Sequence, residues 1–136
     1  MSNTPLRSLR VALQITGVIF LVGPAAFFRL WPSGWVWHPD NPAYAQMIFG
    51  IYVTLGAFLL YVARDPARHL SLIWFTIWSS VAHGAVMAIH AFTDPGEMGH
   101  LPGDVAGLLV IAAILAGLVL RSGLTLGDHA PAYGRS

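Results

Sequence analysis

Six residues spaced 4, 3, 4, 3, 4 run through an otherwise apolar stretch: Thr76, Ser80, His83, Met87, His90 and Asp94. On a helix that spacing puts all six on one face. Imidazoles and carboxylates inside a membrane are costly, normally point into a bundle, and mark a candidate functional site. His38, Asp40, Glu97 and His100 flank the apolar stretches, and Asp104 stands at the start of the last one.

Three kinds of chemistry suit these groups. His90, Asp94, His100 and Asp104 are of the right type to bind zinc, or copper or iron through mixed nitrogen and oxygen ligands. Haem held between two helices needs histidines from both at one depth, and His83 and His90 share a helix at different depths, which argues against it. Asp94, His90 and His83 form a line descending to the bilayer midplane, with His90 roughly 10 Å above His83. That line suits a proton or quinol site opening on one side. Ser80 and Thr76 close it below, so it does not cross the membrane. A purely structural role is the competing expectation, in which His83 hydrogen-bonds across helices to Gln14, Tyr52 or Thr54. Such contacts contribute about 0.6 kcal/mol each in membranes. In that case Asp94 ends its helix and Asp104 favours the N-terminal dipole of the next.

These groups need apolar helices to position them. Four apolar segments are expected as spans, at about residues 9–30, 43–63, 69–93 and 102–121, with 122–136 a polar C-terminal tail in a single domain of 1–136. About 20 apolar residues cross a bilayer as a helix, and the fourth segment meets that length only if it begins at Pro102. Thr4-Pro5, Asn41-Pro42 and Asp65-Pro66 pair an N-cap residue with proline at the first helical position. Pro32, Pro95 and Gly123 mark stops. Arg7 and Arg10 before an apolar run loosely fit a cleaved leader. Phe27 and Phe28 continue the run, so a retained span is expected, with Pro24 as a candidate kink. Rows of small residues (Ser80, Gly84, Ala88; Ala106, Ala113, Gly117; Gly50, Thr54) allow close helix approach.

The composition fits this architecture. The chain has 136 residues, 56% of them hydrophobic and 10% charged. A soluble domain carries about 25% charged residues, so much of this surface is expected to face lipid. There is no cysteine, which excludes disulfides, thiolate metal ligands and thiol nucleophiles. A net charge of +1 gives no reason to expect nucleic acid as a partner. No phosphate loop or nucleophile elbow is present. Arg7, Arg10, Arg64, Arg68, Arg121 and Arg135 fall on the side of both termini and Arg29 on the other, which places both termini in the cytoplasm. The fold class expected is all-α: an integral membrane bundle of four transmembrane helices.

The segments Leu30-Trp-Pro-Ser-Gly-Trp-Val-Trp-His-Pro, Gly50-Ile-Tyr-Val-Thr-Leu-Gly-Ala-Phe-Leu-Leu, Ala63-Arg-Asp-Pro, Ser79-Ser-Val-Ala-His-Gly-Ala-Val-Met and His100-Leu-Pro-Gly-Asp resemble a family of small bacterial four-span membrane proteins, a domain of unknown function. The resemblance implies the four-span fold and draws notice to His83, His100 and Asp104. It implies no activity.

The expected function is that of a non-catalytic accessory or assembly subunit in a larger inner-membrane complex of respiratory or photosynthetic type, or a homo-oligomer in the bilayer. No residue is assigned as catalytic and no cofactor is required by the sequence. The alternative is a small metal-, redox- or quinone-binding protein. It would use the stripe Thr76, Ser80, His83 and His90 with Asp94, His100 and Asp104, on the outer half of the third helix and the start of the fourth.

Overall fold

A computed structural model describes residues 4–32 and 42–126. It holds four helices and, among the described residues, no strand: α1 (Thr4–Leu30), α2 (Pro42–Val62), α3 (Leu70–Thr93) and α4 (Ala106–Ser122). Trp35, Trp37, His38, Asp40, Asn41 and the C-terminal tail from residue 127 lie outside the described residues.

The prolines act where expected, with one difference in form. Pro66 does not open α3 directly. It opens a short 3-10 turn, Pro66–His69, and Asp65 makes no side-chain cap there. The Asp65 carboxylate instead lies 3.9 Å from Arg68 Nε. Gly123 ends α4 with a left-handed φ of 69°, a conformation in which a side chain would be strained. Pro24 sits inside α1 without ending it. Having no N–H, it leaves the Phe20 carbonyl without its helical donor.

The fourth span is longer than α4 itself. α3 ends at Thr93, and the chain then makes a 3-10 turn, Pro95–His100, and a π-helical turn, Leu101–Val105, before entering α4. The backbone kinks at Gly103 (φ −87°, ψ −113°). Together these make one apolar stretch of 28 residues, Pro95–Ser122. Thr4–Leu30 and Pro66–Thr93 are the two other stretches long and apolar enough to cross a membrane, and Gln46–Val62 is a shorter apolar helix. Length and composition make this a membrane-embedded protein.

Its surface agrees. Val22, Ile51, Phe58, Phe75, Trp78 and Ile89 are all more than half exposed. Apolar surface on this scale is unfavourable in water by about 25 cal/mol per Å² and favourable in lipid.

α1 packs on α2 and on α4, and α3 packs on α4. The α1–α2 contact is the tightest. A methyl group on Gly56 would lie 2.7 Å from the Gly17 carbonyl oxygen, and one on Gly17 would lie 3.0 Å from the Gly56 carbonyl. Two backbones can meet so closely only where both side chains are absent. Gly84 gives a looser version of the same contact on α4, 3.3 Å from Leu109. Gly50 and Gly117, by contrast, face open space.

The two halves of the bundle differ. Near the end where the chain begins, here the proximal end, Leu9, Leu13, Leu59, Ile73, Leu115 and Val119 form a closed core. Toward the opposite, distal end the helices leave a chamber between them that is partly open at its sides, where Val110 and Ile19 are exposed.

Candidate functional site: a chamber at the distal end and a histidine clasp behind it

The chamber has a volume of about 320 Å³ and draws walls from all four helices. Phe20, Phe27 and Phe28 come from α1, Phe49 and Tyr52 from α2, His83 and Met87 from α3, and Ile111 from α4. The walls are almost wholly apolar, which fits a binding cavity with a few placed polar groups.

Those groups are Tyr52, His83 and Asp104. The Tyr52 and His83 rings meet edge to face with centroids 5.9 Å apart. Phe20 stands edge-on to the other side of Tyr52 at 5.0 Å. The rings of Phe28 and Phe49 touch at 4.5 Å. Such aromatic pairs hold their partners beyond what area burial alone gives. Asp104 lines the same space as Tyr52 and His83.

Asp104 itself is fixed from behind. Its Oδ1 accepts the Val105 N–H at 2.9 Å. Its Oδ2 lies 3.1 Å from His100 Nδ1. His100 Nε2 lies 3.1 Å from Glu97 Oε2. His100 is 1% exposed and Asp104 6%, whereas the Glu97 side chain retains 20% of its surface. Residues 97, 100 and 104 are spaced 3 and 4 apart, so a helical path brings them together. Here that path is the 3-10 turn followed by the π-helical turn.

The stripe on α3 divides. Thr76 and Ser80 are buried, His83 and Met87 half-buried, and His90 and Asp94 exposed. Thr76 spends its hydroxyl on the Leu72 carbonyl at 2.9 Å. The buried line of α3 runs instead through Ile73, Ser80, Gly84 and Ala91. At about 100° per residue, that line lies roughly 100° around the helix from His90. Small residues let α4 approach along this line and turn the distal part of the stripe outward. Asp94 ends α3, and its Oδ1 accepts the Gly96 N–H at 2.9 Å, capping the turn that follows.

Of the four candidate ligands, the structure thus joins His100 and Asp104 and leaves His90 and Asp94 on the outside. Among the described residues, no group of three or more His, Asp or Glu side chains is arranged to hold a metal ion. Glu97, which the metal set omits, is the partner His100 finds. Its sequence signal is Glu97-x-x-His100-x-x-x-Asp104, obscured because Pro95, Gly96, Gly99, Pro102 and Gly103 read as a loop.

No curated protein and no solved structure matches the chain. One family model does match, over residues 3–133, and its description is Family of unknown function (DUF6632). The match covers all four helices, the chamber and the clasp, and the resemblance drawn from the sequence segments agrees with it: the chain belongs to this family of unknown function.

Proposed function

We propose that this protein binds a small apolar molecule with a ring and a polar edge, of the quinone class, in its distal chamber. The observation that carries this is the chamber itself: aromatic and apolar walls around one space of about 320 Å³ that Tyr52, His83 and Asp104 also line. That volume lies at the low end for ligand cavities, and so favours a ring-sized head group over a whole lipid. A tyrosine hydroxyl, an imidazole and a carboxylate offer donors and acceptors to carbonyl or hydroxyl oxygens on such a ring.

The protein is read as sitting in a bacterial inner membrane with both termini in the cytoplasm. Arg7, Arg10, Arg64, Arg68 and Arg121 lie at the proximal end and Arg29 at the distal end, as the positive-inside rule requires for that orientation. The chamber and the clasp then lie in the outer half.

A second reading, an accessory or assembly subunit of a larger respiratory or photosynthetic complex, is favoured by His90. An imidazole on an exposed helix face beside Ile89 and Phe92 is ill placed against hydrocarbon, and a partner subunit would cover it. The two readings are compatible, because the chamber is internal and His90 external.

Native mass spectrometry of the gently solubilised protein tests both. The expected result is a bound molecule of quinone-like mass, absent from Ile111→Trp, in which the new ring fills the chamber. An empty wild-type protein that also fails to take up added short-chain quinone overturns the binding proposal. A self-sufficient particle of one copy counts against the subunit reading.

A further inference from the structure

Both ring nitrogens of His100 lie 3.1 Å from a carboxylate oxygen, Nδ1 from Asp104 and Nε2 from Glu97. A neutral imidazole has one N–H and a carboxylate has none. Nδ1 is hydrogen-bonded to Asp104 and Nε2 is in ion-pair contact with Glu97, so an N–H toward each carboxylate requires one further proton on the ring. The three groups form a row, buried at His100 and Asp104 and half-buried at Glu97. At one end, Asp104 lines the chamber with Tyr52 and His83. At the other, Glu97 reaches the distal surface through the exposed part of its side chain.

We propose that Asp104, His100 and Glu97 form a proton path between the chamber and the distal surface. The proposal rests on the binding role of the chamber only in needing an occupant with an exchangeable proton. The path starts from a neutral ring with its single proton on Nε2 and both carboxyls ionised. The further proton is the one released in the chamber, which adds to Asp104 Oδ2. It then crosses to His100 Nδ1, breaking the Asp104 O–H bond and forming an N–H bond. At the same time the Nε2–H bond of His100 breaks, and its proton forms an O–H bond on Glu97 Oε2. Glu97 gives that proton to water. No electron moves, and the imidazole ends as its other tautomer. The reverse sequence restores it and carries one proton inward. The path therefore exchanges protons with one side only and does not pump them.

The alternative is that the row is a clasp that merely pins the two distal turns. Exchange of the His100 ring N–H with solvent deuterium separates the two, read by NMR on full-length, histidine-labelled protein in lipid nanodiscs. Exchange through Glu97 is acid–base catalysed, so Glu97→Gln is expected to slow it by roughly tenfold or more. Glu97→Asp, which keeps the carboxylate, is expected to restore most of the rate, and Asp104→Asn to leave the Glu97 side open. Unchanged or faster exchange in Glu97→Gln, as a loosened clasp would give, overturns the proposal.

A second measurement tests delivery to the chamber with 2-hydroxy-1,4-naphthoquinone, whose colour reports its ionisation. After a pH jump, the bound probe is expected to relax roughly tenfold more slowly in His100→Gln than in the wild type. The rate is read on bound probe alone, with its affinity for each protein measured beside it. Equal relaxation of bound probe in both proteins breaks the link between row and chamber and overturns the proposal. A probe that does not bind the wild type instead defeats the binding role of the chamber, and the deuterium exchange alone then decides the path.

Discussion

His100 and His90 are ten residues apart and differ in almost every physical respect. The first is buried between two carboxylates, and the second lies on the outer face of α3. Removing one partner of a buried charged set leaves the others desolvated and uncompensated, which costs about 3–5 kcal/mol. His100→Leu is therefore expected to lower unfolding stability by that order, measured by denaturant titration in mixed micelles. His90→Leu exchanges an exposed polar group for an apolar one and is expected to change stability by under about 0.5 kcal/mol. Equal losses for the two variants would contradict the burial described here. The sequence made His83 legible as a polar group inside an apolar helix, and His100 and Asp104 as polar groups at the edge of one. It left open which way each points, because a face shared by spacing is buried only if a neighbour covers it. At Asp94 the cap on the following turn follows directly from the Asp-Pro-Gly sequence; the outward turn of His90 depends on the approach of α4.

At the scale of elements, the presence of four apolar helices was readable, since length and hydropathy are local properties, but the fourth apolar stretch begins at Pro95 rather than Pro102. The close helix contacts were not readable, because many glycines look alike in sequence. Gly50 and Gly56 lie on the same helix, yet one faces open space and the other meets the Gly17 carbonyl. Gly56→Val is expected to force α1 and α2 apart at a cost of about 1–3 kcal/mol. Gly50→Ala has room, removes backbone freedom from the unfolded chain, and is expected to be neutral or stabilising by up to about 1 kcal/mol. Thermal melts of the two variants in one detergent check the contrast. The turns between α3 and α4 are the least legible element. Two prolines and three glycines suggest an irregular loop, yet the 3-10 and π-helical turns keep helical spacing long enough to join Glu97, His100 and Asp104.

The whole molecule is a lipid-facing bundle with a solid proximal half and a hollow distal half. That difference follows from side-chain size. Leucine, isoleucine and valine interdigitate proximally, whereas distally large aromatic rings meet at an angle, edge-on at Phe20 and Tyr52 and tilted at Phe28 and Phe49, and leave space beside them. The orientation proposed for the bundle can be checked because the chain has no native cysteine. Single cysteines at Arg64 and Gly96 should react with a membrane-impermeant maleimide from opposite sides, Gly96→Cys in intact cells and Arg64→Cys only after the inner membrane is opened. The reverse pattern would invert the topology.

The chamber has one further consequence, for the order in which the protein is made. α1 and α2 form one hairpin, sealed at Gly17 and Gly56, and α3 and α4 form the other. The wall at Phe20 and Tyr52 therefore exists early in synthesis, but Asp104 and Ile111 arrive with the last helix. The cavity is the final part of the fold to close. A molecule held there spans both hairpins and acts as a late rivet: at a hundred times its dissociation constant it adds about 2.7 kcal/mol to the assembled state. On the binding role proposed above, added ligand is therefore expected to slow proteolytic loss of newly inserted chain.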